Sequence, residues 1–252
     1  MSTKPQSYLE QDYLTTFERD GYVVLRNFLS DQALETMRQS LRDVFSVYSV
    51  EGEDTFATVQ RLATFEKQLF YRIYKFISRS FISLYPVRLE CLPIAQQLLG
   101  EGIHIDIGSA VIFALPDDNR LTWGWHQETT YDPEMKDAVH FSFPIFEPAT
   151  LDNGTMSVLP GSHHLGTLPY DKDQTGDDAA TSLVPQGMDK IVNDYEEVPF
   201  IASLGDVVVF HNDLIHRSNS NRSLKPRITG LVRIARIERL PDAASWIDGK
   251  VY

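Results

Sequence analysis

One cysteine, Cys91, occurs in 252 residues, so the chain can close no internal disulfide and build no thiolate cluster. Any metal it binds must rest on His, Asp or Glu. Cys91 itself reads as a small buried apolar residue. Basic residues are also few: 23 Lys and Arg stand against 35 Asp and Glu, a net charge of -12, and no basic stripe breaks the acidic balance. Nucleic acid and anionic membrane surfaces both reward clustered Lys and Arg, so neither is expected as a partner. No apolar run approaches the ~18 residues of a membrane span, and the first eight residues lack the apolar core of a secretory signal. The expectation is a cytoplasmic protein. There is no P-loop, no dinucleotide-binding glycine fingerprint, no His-Glu-x-x-His helix and no Gly-x-Ser-x-Gly elbow.

With 42% hydrophobic and 11% aromatic residues, the chain can bury a full core. We expect one domain over residues 1–252, with a helical layer over about 1–100 and a β core over about 101–240. Residues 8–20 read as a helix that Gly21 ends, and 22–25 as a strand. Ser30 can cap a helix whose Leu34, Met37, Leu41, Val44 and Phe45 share one face. A longer helical pattern follows Gly52 until Pro86 interrupts it, and Pro93 opens another helix that Gly100 closes. After Gly102 the period drops to two. Strands are expected at 103–107, 110–115, 141–146, 156–159, 207–211 and 228–237, with turn residues between them. The polar stretch 170–197 reads as a loop, a possible lid. Many short strands without intervening helices imply an antiparallel double-sheet barrel of the jelly-roll kind, a double-stranded β-helix, behind N-terminal helices.

The chemistry centres on Trp123-Gly-Trp-His126-Gln-Glu128. In an extended segment residues i and i+2 share a face, so His126 and Glu128 can converge on one ion. His211-Asn-Asp213 has the same spacing and competes. The third ligand decides between them. After His211 and Asp213 the next histidine, His216, is too near in sequence to come from a separate strand, whereas His216 lies far enough beyond His126 for several strands to intervene. The triad is therefore expected to be His126, Glu128 and His216, with His211 packed at a strand end. Two histidines and one carboxylate with open positions suit mononuclear ferrous oxygenases. Arg227 opens the next strand, and its planar fork suits a carboxylate that chelates the metal at its other end. His140 carries no signal.

These residues resemble the phytanoyl-CoA dioxygenase family of iron- and 2-oxoglutarate-dependent oxygenases. The likeness runs through Phe17-Glu-Arg-Asp-Gly-Tyr-Val-Val-Leu25, Trp125-His-Gln-Glu128, Asn153-Gly-Thr-Met-Ser-Val-Leu-Pro-Gly-Ser-His163, Gly205-Asp-Val-Val-Val-Phe-His211 and Ile215-His-Arg-Ser218. The resemblance implies Fe(II) on His126, Glu128 and His216, and 2-oxoglutarate held by Arg227, with Ser218, Gln127 and Phe143 at positions that touch or line the cosubstrate pocket. It implies consumption of dioxygen, release of succinate and oxidation, by hydroxylation, of an unactivated C–H bond in a small-molecule substrate. One departure stands out: the family usually has His-x-Asp where this chain has His-x-Glu. Halogenating relatives lack that carboxylate, so hydroxylation or desaturation is the expected outcome. Two other readings remain open at this point: a jelly-roll hydrolase using another divalent ion, and a non-catalytic binding barrel.

Overall fold

The computed structural model describes residues 9–78, 81–102, 104–106, 109–131, 137–173 and 182–236. Helix α1 (Gln11–Asp20) leads into strand β1 (Tyr22–Leu25), and Gly21 between them adopts a left-handed φ of 77° while its N–H bonds the Phe17 carbonyl. In α2 (Asp31–Ser46) the Ser30 side chain caps the N–H of Ala33, and Leu34, Met37, Leu41 and Phe45 form the buried stripe that the helical spacing predicts. Asp54 caps α3 (Thr55–Phe65) in the same way, and α4 (Lys67–Ser78) follows.

The next helix departs from the expectation. α5 (Phe81–Leu99) carries both Pro86 and Pro93 in its interior, where each was expected to mark a boundary. An interior proline costs about 3 kcal/mol. Here Val87, Cys91, Ile94 and Ala95 are fully buried on one face of the helix, and apolar burial of about 1.5–3 kcal/mol per large side chain offsets that cost. Packing overrides the local punctuation.

The strands then follow: β2 (His104–Asp106), β3 (Ala110–Ala114), β4 (Ala138–Pro144), β5 (Met156–Val158), β6 (Tyr170–Asp173), β7 (Ser182–Pro185), β8 (Val198–Pro199), β9 (Val207–His211), β10 (His216–Ser218) and β11 (Arg227–Arg236). Two short helices interrupt them, α6 (Glu128–Tyr131) and α7 (Met188–Asp194). The expected strand ends at 103, 107 and 237 lie outside the described residues. So do 174–181 of the expected loop, but its flanks are ordered differently from the expectation: β6 and β7 pair antiparallel and α7 follows. Their side chains are mostly polar, so no alternation betrayed them.

The large sheet runs β1-β9-β4-β11-β2, with β3 also on β11, and every pairing is antiparallel. The ten-residue β11 takes β4 on one edge and β3 then β2 on the other. A smaller sheet, β10-β5-β8, faces it. Alternation divides the buried residues between two cores. Val139, Phe141 and Phe143 of β4 join the helices in the larger core, whereas Val208, Phe210 and Leu231 meet Val158 of the smaller sheet in the other. This is the jelly-roll architecture, with helices laid on its outer face.

Candidate metal centre

The small sheet continues beyond β10 through one bridge, His126 with His216, in which each residue donates its backbone N–H to the other's carbonyl at 2.9 and 3.0 Å. Residue 127 turns the chain, and Glu128 starts α6. The segment is thus not a continuous strand as the i, i+2 argument assumed, yet His126 and Glu128 still converge. The Glu128 N–H bonds the carbonyl of Asn212 at 3.1 Å, which fixes where the carboxylate begins.

Each histidine is oriented by its own backbone neighbourhood. His126 Nδ1 lies 2.7 Å from the Gly124 carbonyl and His216 Nδ1 lies 2.9 Å from that of Leu214. A carbonyl only accepts, so both Nδ1 atoms carry the proton, and both Nε2 lone pairs are left to bind a metal. They point at one oxygen: Glu128 Oε1 is 3.8 Å from His126 Nε2 and 3.4 Å from His216 Nε2. The three ligand atoms lie within 4.8 Å of one another. With metal–ligand bonds of about 2.0–2.2 Å, such a set closes around a single ion. The longer glutamate reaches as the usual aspartate would.

Glu128 is almost enclosed. Burial alone would raise its carboxyl, but Arg233, then His126 and His216, hold it well below the usual carboxylate range. Arg233 Nη2 sits 3.4 Å from Oε2, the oxygen turned away from the histidines. Burial, together with His126, pushes His216 down in spite of Glu128. Both effects keep Glu128 and His216 deprotonated, the form a metal requires.

The triad opens into a cavity of about 380 Å³ whose floor is one face of β3, β11 and β4. Alternation puts Arg227, Thr229, Leu231 and Arg233 on that face, beside His140 and Ser142. Arg227 is 6% exposed. Its Nε bonds the Asn153 carbonyl at 3.1 Å, Nη2 bonds that of Gly154 at 2.6 Å and Nη1 bonds Thr229 Oγ1. A guanidinium has five N–H donors, so two remain. Burial lowers Arg227 to about 10, and no carboxylate pairs with it among the described residues. A buried cation without a counter-ion is costly, and this one stays charged near neutral pH.

Of the other expected site residues, Ser218 lines the cavity. Gln127 does not. Fully buried, it donates to the carbonyls of Gly166 and Asp213 at 2.8 and 2.7 Å and accepts from Leu168 N–H, which uses its amide to clamp two loops. Phe143 points the other way, into the core beneath the helices, and its ring covers Gly230, where a Cβ would lie 2.2 Å from it. Ser142 and Thr229 stand on the cavity face instead. His211 stays out of the cluster, its Nδ1 accepting from the Asp213 N–H at 3.0 Å. The residues missed were His140, Asn212 and Arg233. His140 Nε2 meets Asn212 Oδ1 at 2.7 Å, and burial lowers His140 to about 4. For His140 a signal was present: with Ser142 it alternates with apolar residues along the buried strand β4.

Comparison with known proteins agrees with this geometry. The family described as Phytanoyl-CoA dioxygenase (PhyH) matches residues 17–229. The peroxisomal phytanoyl-CoA dioxygenase of Bos taurus is 23% identical over 231 residues, covering 88% of this chain and 67% of that protein. L-Proline trans-4-hydroxylase of Streptomyces griseoviridis is 22% identical over 253 residues, covering 91% and 88%. Among solved structures, EctD from S. alaskensis with 2-oxoglutarate and 5-hydroxyectoine shares the fold with a TM-score of 0.59 at 19% identity, over 92% of this chain and 77% of that one. A His-Glu-His cluster that shares one cavity with a buried arginine, in a chain matched over most of its length, leads to one assignment: the chain belongs to the phytanoyl-CoA dioxygenase family and is an iron- and 2-oxoglutarate-dependent dioxygenase.

Proposed function

We propose that His126, Glu128 and His216 hold Fe(II), that Arg227 and Ser218 hold 2-oxoglutarate, and that the cavity hydroxylates an unactivated C–H bond of a small molecule. The observation that carries this reading is Arg227, a charged guanidinium with two spare donors and no acidic partner among the described residues, in the same cavity as the triad. A dicarboxylate that reaches from metal to arginine supplies the missing counter-ion. A hydrolytic metal site has no use for that cation. Bound together, iron and 2-oxoglutarate supply the oxidising chemistry, in which dioxygen gives one atom to succinate and one to the substrate as carbon dioxide leaves.

The chain's own residues hold this chemistry in place. Gly124 and Leu214 fix the tautomers of the two histidines, and Arg233 keeps Glu128 ionised. Asn153 and Gly154 aim the Arg227 fork. Burial excludes bulk water, which strengthens every charge interaction inside. Gln127 acts at one remove by clamping the loops at Gly166 and Asp213, the second of which follows Asn212. The relatives named above include an L-proline hydroxylase, which accords with a compact substrate.

Anaerobic titration tests the reading. Fe(II)-loaded protein should bind one equivalent of 2-oxoglutarate and develop the weak visible charge-transfer band of that complex. Metal binding without any 2-oxoglutarate binding would point to a hydrolase or a binding barrel.

A further inference from the structure

Each histidine of the triad is backed by a serine hydroxyl from another element. Behind His216 stands Ser162, fully buried at the head of a short 3₁₀ helix (Ser162–Leu165). Its Oγ accepts the N–H of Ile215 at 2.9 Å, and the carbonyl of that same peptide group, belonging to Leu214, takes the His216 Nδ1 proton at 2.9 Å. Behind His126 stands Ser182, the buried first residue of β7. Its Oγ accepts the N–H of Gly124 at 2.8 Å, and the Gly124 carbonyl takes the His126 Nδ1 proton at 2.7 Å.

The two arrangements differ by one joint. A peptide group is planar, so an acceptor on the Ile215 N–H fixes the direction of the Leu214 carbonyl directly. It also polarises the group and strengthens that carbonyl as an acceptor. The N–H and the carbonyl of Gly124, by contrast, belong to adjacent peptide groups joined at a residue without a Cβ, where the backbone is least restricted. The group before this joint is held at both ends: the Trp123 carbonyl accepts the Ser218 N–H at 2.9 Å, and the Gly124 N–H goes to Ser182. Without the Ser182 hydroxyl it keeps its bond to β10 and loses the one to β7. Leu183, next along β7, donates its N–H to the phenol oxygen of Tyr131 at 3.2 Å, and the Tyr131 ring meets the His126 ring edge-on with 5.5 Å between centroids. β7 thus bears on His126 through two neighbours.

Resting on the function proposed above, we propose that Ser162 and Ser182 are positioning residues of the metal site, each holding one histidine in the tautomer and orientation that present Nε2 to the ion. A neutral imidazole that carries its proton on Nε2 has no lone pair there to give, so any population of that tautomer subtracts from metal affinity. The pairing is specific: Ser162 governs His216, and Ser182 governs His126. The β6–β7 hairpin thereby enters the metal site without contributing a ligand.

The test reads tautomers without metal and affinity with it. Nitrogen NMR of the metal-free wild type with isotope-labelled histidine should show His126 and His216 both protonated on Nδ1. Ser162→Ala should move His216 alone toward a mixture of tautomers, and Ser182→Ala should move His126 alone. Partners behind metal ligands are worth about tenfold to a hundredfold in metal affinity. Anaerobic Fe(II) titration should therefore give a dissociation constant roughly tenfold higher in Ser162→Ala, and about threefold to tenfold higher in Ser182→Ala, whose lost hydroxyl acts across one more joint. Ser182→Thr keeps a hydroxyl and should restore both readouts. Wild-type tautomers in either alanine variant, equal disturbance of both histidines by one substitution, a shifted tautomer with unchanged Fe(II) affinity, or no recovery in Ser182→Thr overturns the proposal. So does failure of both alanine variants to fold, because the serines then serve the fold itself. Absence of Fe(II) and 2-oxoglutarate binding in wild type whose Nδ1 tautomers are intact removes the function on which the proposal rests, and is distinguished from these outcomes by the metal-free spectra.

Discussion

His126 and His216, ninety positions apart in sequence, exchange two backbone hydrogen bonds at 2.9 and 3.0 Å and stand with their rings 4.1 Å apart. The proposed iron site is therefore built on a backbone bridge at the end of the small sheet. Removing either imidazole should leave these backbone hydrogen bonds in place and abolish stable iron binding. We expect His126→Ala and His216→Ala proteins that are folded yet contain little iron by elemental analysis. His211→Ala should keep its iron, because its ring faces Phe17 and His163. A folded but iron-free His211→Ala protein would reverse the choice of triad.

Glu128 tests how far the departure from aspartate matters. Its N–H is tied to Asn212 and its carboxylate to Arg233, so the side chain is fixed at both ends. Glu128→Asp shortens the reach by about a bond length and should retain measurable Fe(II) affinity, weaker than wild type. Glu128→Ala should bind iron far more weakly. Fe(II) titration of the three proteins decides the matter: equal affinity in wild type and Glu128→Ala means that the carboxylate is not a ligand.

How much of this was legible in the sequence follows from which residues announce themselves locally. The grouping of His126, Glu128 and His216 could be read because the first two sit two positions apart and the competing pair could be set aside by chain distance. Arg227 could be read because it opens a strand after the distal histidine. Phe143 and Gln127 could not be placed by resemblance, since strand register decides which face a residue takes and a shift of one position reverses it. In β4 the register sends Phe143 to Gly230 and the helical core, and brings Ser142 and His140 to the cavity. The same parity on β11 pairs Arg233 with His140, which no spacing rule applied to β4 alone could reveal. The helix α5 was misdivided because the burial of Val87, Cys91 and Ile94 is a tertiary fact.

Asp206 offers a prediction about acid stability. It sits in the Gly-Asp turn before β9, accepts from the N–H groups of Asn27 and Ser203 at 2.8 Å each and pairs with Arg26 at 2.7 Å. Burial would raise its carboxyl, but these partners hold it below its ordinary value. A carboxylate with a depressed folded pKa contributes stability above its unfolded pKa of about 3.9 and loses it as pH falls through the folded value. Asp206→Asn should therefore be less stable by about 1.5–3 kcal/mol near pH 7, the range for hydrogen bonds to a charged group. The difference should shrink below about pH 4. Urea unfolding of both proteins at pH 7 and pH 3.5 reads it; a gap that does not narrow in acid means that shape, not charge, holds this turn.

The last prediction concerns the fork of Arg227. Three of its donors are committed to Asn153, Gly154 and Thr229, which fixes the plane of the guanidinium and leaves two donors for a ligand. Arg227→Lys keeps a positive charge but has no planar fork, so it cannot both bond those backbone carbonyls and present a pair of parallel donors. A charge-assisted hydrogen bond is worth about 1.5–3 kcal/mol, and every ~1.4 kcal/mol is a factor of ten in affinity. The dissociation constant for 2-oxoglutarate should rise roughly tenfold to a hundredfold in the variant. Iron binding without 2-oxoglutarate should barely change, because Arg227 bonds Asn153, Gly154 and Thr229, not His126, Glu128 or His216. Titrating 2-oxoglutarate into Fe(II)-loaded wild type and Arg227→Lys separates the two effects. An unaltered cosubstrate affinity would assign Arg227 to the packing of the Asn153–Gly154 turn alone, and 2-oxoglutarate would then have to be held from another side of the cavity.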